Sequence, residues 1–350
     1  MELPAAIARV CARRDLDAEE MASVVGVIMD GGATPAQIAA FLIGLRLKGE
    51  TVDEVVGAAR AMRARAANVN LPDDPRPIVD TCGTGGDGAQ TVNISTAAAL
   101  VVAACGVRVA KHGNRSVSSR SGSADVLEAL GVDITAPHAV VRRCLTEVGV
   151  GFFFAPSFHA ATRHVAPVRR EIGVRTIFNL LGPLTNPGGA RHHVVGVYDP
   201  AWLEPIAAAL GRLGGARALV VHGAGGLDEF APHGPTEIAE LREGVGHVVR
   251  YTLSPRDFAL EEGDLLELRG GDASRNADRL RSMLDGERGA ARTVVVMTAA
   301  AGLYVAGRAG LRDGARLAET VLDDGSALRT LDNLVKASRE RRPGEDAVTP

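Results

Sequence analysis

The sequence over residues 78–110 reads IVDTCGTGGDGAQTVNISTAAALVVAACGVRVA, and it determines the class of fold. Two short apolar runs, at residues 78–80 and 107–110, flank a Gly-rich stretch and a helix predicted over residues 95–104. Two strands that are joined by a helix of this length usually pair in parallel, with the helix packed on the sheet. The stretch therefore predicts an α/β fold.

Short apolar runs alternate with helical segments along the rest of the chain as well. Further strands are predicted at residues 151–154, 194–198, 218–222 and 294–297. Further helices are predicted at residues 123–130, 138–148, 204–213 and 276–284. The fold class predicted for residues 71–350 is therefore α/β with a mainly parallel central sheet.

Residues 1–70 carry the signals of consecutive helices instead. Three pairs of residues have the spacing of a capping box, which closes the start of a helix: Asp17 with Glu20, Thr34 with Gln37, and Thr51 with Glu54. Apolar residues follow each pair at helical spacing, and no strand pattern occurs before residue 71. The Pro-rich stretch 71–77 cannot continue a helix and is predicted to be a linker. The sequence thus predicts a small helical domain over residues 1–70 and an α/β domain over residues 71–350.

The composition narrows the class of protein. The chain has 350 residues, a formal net charge of −3 and 46% hydrophobic residues. A general nucleic-acid or membrane-surface binder favours an excess of basic residues, which is absent here. No apolar stretch approaches the roughly 20 residues of a membrane span. The four cysteines form no Cys-x-x-Cys pair, so we expect buried free thiols in a cytoplasmic protein.

The Gly-rich loop at residues 80–88 has the features of a phosphate site. Successive glycines let backbone N–H groups approach an anion closely, and the helix that follows offers its N-terminus to phosphate. Asn93, Ser95 and Thr96 stand where that helix begins, although Ser and Thr caps on a plain turn would look similar. The carboxylate of Asp87 would repel phosphate unless it contacts hydroxyls or a metal. A ligand with both phosphate and sugar hydroxyls is therefore predicted.

A second loop at residues 111–119 follows the strand predicted at 107–110. Ligands of open α/β sheets bind at such carboxyl ends of strands. The charge of Lys111, the hydroxyls and the Gly113 backbone can bind phosphate oxygens, whereas the alternative is a solvated basic loop. The candidate residues are Lys111, His112, Gly113, Asn114, Arg115, Ser116, Val117, Ser118 and Ser119.

A pair of carboxylates and a group of arginines complete the candidate sites. Asp228 and Glu229 follow the strand predicted at 218–222 and suit Mg²⁺ that bridges to substrate phosphates, although an exposed acidic turn has the same sequence features. The segment 163–187 holds several arginines, and one of them can bind a carboxylate through a bidentate pair. The residues alone do not choose among Arg163, Arg169, Arg170 and Arg175.

Together these blocks resemble the anthranilate phosphoribosyltransferase family of the tryptophan pathway. The resemblance runs from about residue 18 to residue 335, with matching segments at 83–88, 93–96, 111–115, 116–130, 169–187 and 227–229. It implies a helical domain, joined by part of 163–187, on a larger α/β domain, and a homodimer formed through the helical domain. It also implies 5-phosphoribosyl 1-pyrophosphate (PRPP) as donor, anthranilate as acceptor and Mg²⁺ as cofactor.

The resemblance assigns site residues by position. Donor binding would fall to Gly83, Gly86, Asp87, Thr91, Asn93, Ile94, Ser95, Thr96, Lys111, Ser119 and Ser123. Mg²⁺ would be held by Ser95, Asp228 and Glu229. Anthranilate would contact Gly83, Asn114 and Arg169, with Arg169 meeting its carboxylate.

The sequence departs from the family pattern in three places. Ala160 and Thr162 replace the usual Pro and Met near the expected acceptor channel, so acceptor preference could differ. Arg275 stands before Asn276-Ala277 where Glu is usual, and Thr298 stands where Asn is usual. We expect these last two places to lie far from the donor motifs.

The expected reaction displaces pyrophosphate from the ribose C1 by the anthranilate amine, with inversion through an oxocarbenium-like state. No side chain is predicted to be an essential acid or base; His112 is the one candidate for a modest role, against a purely structural one. Rival functions are a pyrimidine-nucleoside phosphorylase, a relative with another aromatic acceptor, and a non-catalytic nucleic-acid binder. The pair Asp228-Glu229 argues against the phosphorylase and against the nucleic-acid binder.

Overall fold

The computed structural model describes residues 1–116, 120–243 and 247–345. The candidate residues Val117, Ser118 and Ser119 lie outside the described part of the chain. Among the described residues, no helix is long and apolar enough to cross a membrane. All four cysteines are free; Cys144 is buried as expected, but Cys11 is exposed, so the prediction of burial was wrong for Cys11.

Four helices form the N-terminal part, and the described residues before Ile78 contain no strand, as predicted. The helices are α1 (Leu3–Cys11), α2 (Ala18–Met29), α3 (Pro35–Lys48) and α4 (Val52–Arg63). The last three begin with the predicted capping boxes, in which each cap side chain accepts a hydrogen bond from the N3 amide and the N3 side chain accepts one from the cap amide. These helices are therefore closed at their N-termini by their own side chains.

Seven strands form one sheet in the order β3-β2-β1-β4-β5-β6-β7. Their bounds are β1 (Ile78–Gly83), β2 (Arg108–Gly113), β3 (Val150–Phe154), β4 (His192–Gly196), β5 (Arg217–Gly223), β6 (Thr236–Leu241) and β7 (Val249–Leu253). The first five pair in parallel, and β6 and β7 add antiparallel strands at one edge. The predicted mainly parallel sheet is confirmed.

Helices cover the sheet. They are α5 (Ile94–Ala104), α6 (Ser123–Ala129), α7 (His138–Arg143), α8 (Ala155–Phe158), α9 (Ala166–Ile172), α10 (Phe178–Leu181), α11 (Leu203–Arg212), α12 (Ala273–Leu284), α13 (Ala290–Val305), α14 (Leu311–Asp323) and α15 (Ser326–Arg339). The strand predicted at residues 294–297 is wrong, because these residues lie inside α13. This helix is buried on nearly all sides, and a short apolar run does not distinguish a buried helix from a buried strand.

Two buried apolar clusters hold the layers together. One packs α5, α12, α13, α14 and α15 against one side of the sheet. The other joins α1–α4 to apolar residues between Val165 and Leu184 and continues through β4, β5 and α11. Arg63 at the end of α4 donates hydrogen bonds to the carbonyls of Leu184 (2.6 Å) and Leu213 (2.7 Å), which fixes α4 to that side of the sheet. The chain thus has a small N-terminal helical domain and a larger α/β domain.

Candidate active site

The Gly-rich loop leaves β1 at the carboxyl edge of the parallel strands. Gly85 has a φ of +68°, a conformation that residues with a Cβ rarely adopt. In this conformation the Gly85 N–H donates a hydrogen bond of 2.8 Å to Oδ2 of Asp228, in the loop that follows β5. The loop after β1 and the loop after β5 therefore meet.

β4 ends between these two loops at Gly196, which has no side chain. A Cβ at Gly196 would come within 1.5 Å of the Asp228 carbonyl oxygen, so only glycine permits this close approach. No local sequence pattern identifies the importance of Gly196, because its role depends on Asp228, 32 positions later along the chain. The backbone around Asp228 packs directly over the edge of the sheet as a result.

The start of α5 is the third component of the site. Asn93 is the N-cap residue, but its side chain makes no capping hydrogen bond. The Ser95 N–H points to Oε1 of Glu229 at 3.3 Å, and the Ser95 hydroxyl accepts a hydrogen bond of 3.3 Å from the buried Lys111 amino group. Lys111 also donates to the Thr81 carbonyl at 2.5 Å. The predicted metal and donor residues Ser95, Lys111 and Glu229 thus lie together.

Three carboxylates gather at this place. The Asp228 N–H lies 3.4 Å from Oδ2 of Asp87. Burial, reinforced by the charge of Asp87, raises the pKa of Asp228, and burial together with Asp228 raises the pKa of Glu229 well above its usual range. The ionised forms of these carboxylates are therefore costly in this desolvated place unless a cation accompanies them.

This donor set fits a magnesium ion. Oxygen ligands from one or two carboxylates are what Mg²⁺ takes in proteins, the remaining positions being filled by water and substrate phosphates. Within the described ranges no group of three or more His, Cys, Asp and Glu side chains could hold a metal. Asp228, Glu229 and the Ser95 hydroxyl could supply only part of the ligands of an ion, and water and substrate phosphates would have to supply the others.

The loop after β2 is held partly by its own ion pairs. Arg115 pairs with Asp125 (3.0 Å) and Glu128 (2.8 Å), and the Ser116 N–H donates to Asp125 at 3.0 Å. Asn114 is exposed, and its carbonyl accepts a hydrogen bond of 3.4 Å from the Ser123 hydroxyl. An open cleft of about 570 Å³ borders this loop. The loop is thus shaped by α6, and this cleft lies on the outer side of the loop, because its lining includes none of Ser95, Asp228 and Glu229.

His112 lies beneath this loop beside a second histidine. His112 Nδ1 is 3.0 Å from the Gly182 carbonyl, and His159 Nε2 is 2.9 Å from the Thr185 carbonyl, so both nitrogens must donate. The ring centroids are 5.2 Å apart. Among the described residues, His112 Nε2 and His159 Nδ1 have no hydrogen-bond partner. Burial lowers the pKa of His112 to about 3, so the imidazole is neutral.

The four candidate arginines have different surroundings. Arg169 is half-buried, lies 5.5 Å from the Phe178 ring and donates weakly to Asn179 at 3.5 Å. Arg163 and Arg170 are exposed. Arg175 stacks on the Tyr198 ring at 4.1 Å and donates to the Gly86 carbonyl of the Gly-rich loop. Within the described residues no hydrogen bond joins Arg169 to Gly83 or Asn114.

The chain matches two family models and many curated proteins. Residues 75–328 match the Glycosyl transferase family, a/b domain, and residues 4–66 match the Glycosyl transferase family, helical bundle domain. The chain is 54% identical over 337 residues to the anthranilate phosphoribosyltransferase of Myxococcus xanthus (strain DK1622), covering 96% of this chain and 99% of the relative.

The chain belongs to the anthranilate phosphoribosyltransferase family.

Solved structures of the family agree with this assignment. The enzyme from Thermus thermophilus superposes with a TM-score of 0.90 at 46% identity, over 96% of this chain and 99% of that one. The Saccharomyces cerevisiae enzyme in complex with PRPP and Mg gives a TM-score of 0.86 at 27% identity, over 96% and 97% of the two chains. A magnesium ion and PRPP therefore bind a family member of the same fold.

Two residues near the family's motifs were not identified from the sequence. His159 directly precedes the departures at Ala160 and Thr162 and was not singled out, although its ring lies beside that of His112. Asn276 was expected to lie far from the donor motifs, and this is wrong: its Nδ2 is 2.9 Å from Oδ1 of Asn93. The error arose because the two residues are 183 positions apart and meet only through the packing of α12 beside α5. Thr298, by contrast, is buried within α13 and bonds to the Val294 carbonyl.

Proposed function

We propose that this chain transfers the phosphoribosyl group of PRPP to anthranilate, giving N-(5-phosphoribosyl)anthranilate and pyrophosphate, in tryptophan biosynthesis. The observation that carries the proposal is the meeting of three parts at one edge of the sheet: the Gly-rich loop, the start of α5 and the pair Asp228-Glu229. The identity of 54% to a family member over nearly the whole chain supports the same reaction.

The donor would lie across the loops after β1 and β2. Backbone N–H groups of the Gly-rich loop and the start of α5 suit the pyrophosphate, because oriented amides and a helix N-terminus favour anions. We assign donor binding to Gly83, Gly86, Asp87, Thr91, Asn93, Ile94, Ser95, Thr96, Lys111, His112, Gly113, Asn114, Arg115, Ser116 and Ser123, and, outside the described residues, Val117, Ser118 and Ser119.

Asp228, Glu229 and the Ser95 hydroxyl would hold Mg²⁺. When bound, the ion neutralises the charge that accumulates on the departing pyrophosphate. The support for this role is the close packing of Asp228 and Glu229 with Asp87, which helps to raise the pKa of the first two and makes their ionised forms costly without a cation.

The acceptor would lie between the loop after β2 and the segment that contains α9. We assign its carboxylate to Arg169, whose guanidinium is half-buried and has no carboxylate partner among the described residues, and its ring to the neighbourhood of Gly83 and Asn114. Burial lowers the pKa of Arg169, which remains a cation that lacks a counter-charge. An anionic acceptor would supply that charge.

The protein would promote the reaction by orientation and charge stabilisation. The bond between ribose C1 and the pyrophosphate oxygen breaks, and the amine nitrogen bonds to C1 from the opposite face. The amine then loses a proton to water or to the departing pyrophosphate, with no protein base required. Loop N–H groups stabilise the leaving pyrophosphate. Neutral His112 can accept a hydrogen bond at Nε2, but a pKa near 3 makes it a weak base, so we assign it a modest role in orienting the amine.

We also propose a homodimer formed through the helical domain, with that domain comprising residues 1–70 and part of 163–187 and the α/β domain comprising residues 71–350. Leu47 on α3 is 72% exposed and Val27 on α2 is 37% exposed, which supports an apolar contact on this side. Light scattering on the purified protein tests the dimer, and a Leu47→Glu variant should be monomeric if the proposal is correct. A cytoplasmic location accords with the free cysteines.

Product analysis tests the reaction itself. The protein is incubated with PRPP and Mg²⁺ and either anthranilate, other aromatic amines, or a pyrimidine nucleoside with phosphate, and the products are identified by mass spectrometry. We expect phosphoribosyl anthranilate and pyrophosphate only in the anthranilate reaction. Ribosylation of another amine alone would assign a different acceptor, and nucleoside phosphorolysis would contradict the proposal.

A further inference from the structure

Asn276 lies in the first turn of α12. Together with Asn93 it links the Gly271 N–H to the Ser121 carbonyl. Its side chain is buried, with 1% of its surface exposed. Its Oδ1 accepts a hydrogen bond of 2.7 Å from the Gly271 N–H, and its Nδ2 donates one of 2.9 Å to Oδ1 of Asn93. Asn93 in turn donates from Nδ2 to the Ser121 carbonyl at 3.2 Å. Two side-chain amides thus form a continuous chain of three hydrogen bonds.

The direction of this chain is fixed at both ends. The Gly271 N–H can only donate and the Ser121 carbonyl can only accept. The Asn276 amide must therefore present its oxygen to Gly271 and its nitrogen to Asn93, and Asn93 must present its nitrogen to Ser121. Neither amide can turn over without placing two donors or two acceptors face to face.

The backbones around the two asparagines are also held together. The Val92 N–H donates to the Leu268 carbonyl at 2.8 Å, and the Gly270 N–H donates to the Gln90 carbonyl at 2.8 Å. These bonds align the segment before α5 with the segment before α12. The amide chain therefore spans two backbones whose separation is already fixed.

The side chain of Asn93 does not cap its own helix, α5. Asparagine is among the preferred N-cap residues because its side-chain oxygen accepts a hydrogen bond from the second or third amide of its helix. Asn93 makes no such bond, and the Ser95 N–H points to Glu229 instead. The neighbouring amides of α5 also have partners, since the Ile94 N–H donates to the Val92 carbonyl (2.7 Å) and the Thr96 N–H to the Asn93 carbonyl (3.1 Å). The Asn93 side chain is thus held by Asn276 and Ser121 and not by its own helix.

We propose that Asn276 is a positioning residue for the donor: it fixes the side-chain amide of Asn93, which we assign to donor binding, in one orientation at the start of α5. The inference rests on the proposed function, because it concerns the affinity of the same site for PRPP. Loss of the Asn276 donor would free the Asn93 amide to turn, and PRPP would then have to order that side chain on binding.

Asn276→Asp separates this role from a structural one. The aspartate keeps an oxygen for the Gly271 N–H, so the fold is retained, but it places a second oxygen against Oδ1 of Asn93. We expect the KM and the calorimetric Kd for PRPP with Mg²⁺ to rise about threefold to tenfold, the effect of one hydrogen bond. The KM for anthranilate should stay near that of the unaltered protein. The melting temperature should fall, because the variant buries a carboxylate, so the rise in the KM and Kd for PRPP is the readout that distinguishes the two roles. Asn276→Ala, which removes both bonds, is the second variant and serves if the aspartate does not fold.

Met283→Ala is the matched control, because Met283 is buried on the same helix and lies seven residues along the chain from Asn276. It should lower the melting temperature and leave the PRPP affinity unchanged. If both Asn276 variants behave like Met283→Ala, Asn276 is structural and the proposal is overturned.

A double-mutant cycle with Asn93→Ala excludes a direct effect of the new charge. If Asn276 acts through Asn93, Asn276→Asp should change the PRPP affinity of the unaltered protein and add nothing in the Asn93→Ala background. An equal fold-change in both backgrounds would overturn the proposal, because the charge would then act on the donor directly. Failure of the unaltered protein to use PRPP and anthranilate would instead refute the proposed function.

Discussion

The helices α2, α3 and α4 begin with complete capping boxes, whereas α5 begins with an asparagine that caps nothing in its own helix. The first three starts lie in the helical domain and satisfy their free amides with their own side chains. The start of α5 lies at the carboxyl edge of the sheet, and its Ser95 amide faces a carboxylate from another loop. The starts of α2, α3 and α4 thus stabilise the fold through their own caps, whereas the start of α5 is tied to the loop that carries Asp228 and Glu229.

The two regions also differ in where they place charge. In the helical domain the buried Glu54 is matched by Lys48 at 3.0 Å and by the Leu16 N–H at 3.0 Å. At the sheet edge Asp87, Asp228 and Glu229 repel one another, with Lys111 close by. Charges that the fold balances are structural, and charges that it leaves in excess indicate a missing positive partner. This contrast leads to four predictions.

The largest effect is expected from removing the excess charge. Asp228→Asn combined with Glu229→Gln should lower kcat/KM by about a thousandfold or more, because stabilisation of the leaving group by a metal is worth several kcal/mol. The melting temperature should not fall, since the repulsion is relieved. Steady-state kinetics over a range of Mg²⁺ concentrations and a thermal melt measure both.

Glu261 and Glu262, two consecutive exposed carboxylates elsewhere in the sequence, provide the control. Glu261→Gln with Glu262→Gln removes the same charge from the surface and should leave magnesium-dependent turnover intact. A carboxylate variant at Asp228 and Glu229 that kept its magnesium dependence would place the metal elsewhere.

A smaller loss is expected at the acceptor side. Arg169→Ala should raise the KM for anthranilate about tenfold to a hundredfold, the value of a hydrogen-bonded charge pair, with little change in the KM for PRPP. Initial rates with each substrate varied in turn give the two constants. Arg170→Ala, at the exposed neighbour, is the control. Equal effects of Arg169→Ala on both KM values would move the carboxylate anchor, with Arg170 the first alternative.

His193 on β4 should affect stability and not turnover. Burial lowers its pKa to about 3 from the usual 6.5, so the folded protein keeps this imidazole neutral while the unfolded chain takes up a proton. The stability that depends on the neutral form is complete above pH 6.5 and is lost as the pH falls from 6.5 toward 3, at up to about 1.4 kcal/mol per pH unit.

Chemical denaturation at several pH values measures this dependence. His193→Gln should flatten the fall of the unfolding free energy between about pH 6 and 4, and His233→Gln, at an exposed histidine, should not. An unchanged slope in His193→Gln would mean that other groups govern acid unfolding.

The smallest effects compare the two kinds of helix start directly. Thr34→Ala should cost about 1 kcal/mol of unfolding free energy, because it removes a cap, and should leave the KM for PRPP unchanged. Asn93→Ala removes no cap and should raise the KM for PRPP by about tenfold at most. Measuring the unfolding free energy and the KM for PRPP of both variants tests this prediction. If Asn93→Ala lowers only the unfolding free energy and leaves the KM for PRPP unchanged, the start of α5 has no role in donor binding.

The fold could be predicted from the sequence wherever a signal is local. The capping boxes located α2, α3 and α4, and apolar runs beside glycines located the five parallel strands. The sequence missed β7, in which polar and apolar residues alternate at a half-exposed edge, and β6, which is mostly buried but has no regular alternation. It also placed a strand inside α13. Pairing at the edge and burial of a helix on all sides are decided by neighbours in space, which a window of sequence does not contain.

The site shows the same division between local and distant signals. The Gly-rich loop, Lys111 and the pair Asp228-Glu229 are visible in the sequence, because each follows a strand. The close approach at Gly196 and the contact of Asn276 with Asn93 join segments far apart along the chain. No motif within either segment indicates its partner, so these features required the structure.

Anthranilate fluorescence tests the central claim most directly. The signal of anthranilate is followed after PRPP is added to the protein, first without Mg²⁺, then with Mg²⁺, and finally with excess chelator. The proposed site predicts a decay that requires both PRPP and Mg²⁺ and stops with the chelator, and no such decay in the Asp228→Asn, Glu229→Gln variant. A steady signal with all components present, or a decay at the same rate in that variant, would contradict it.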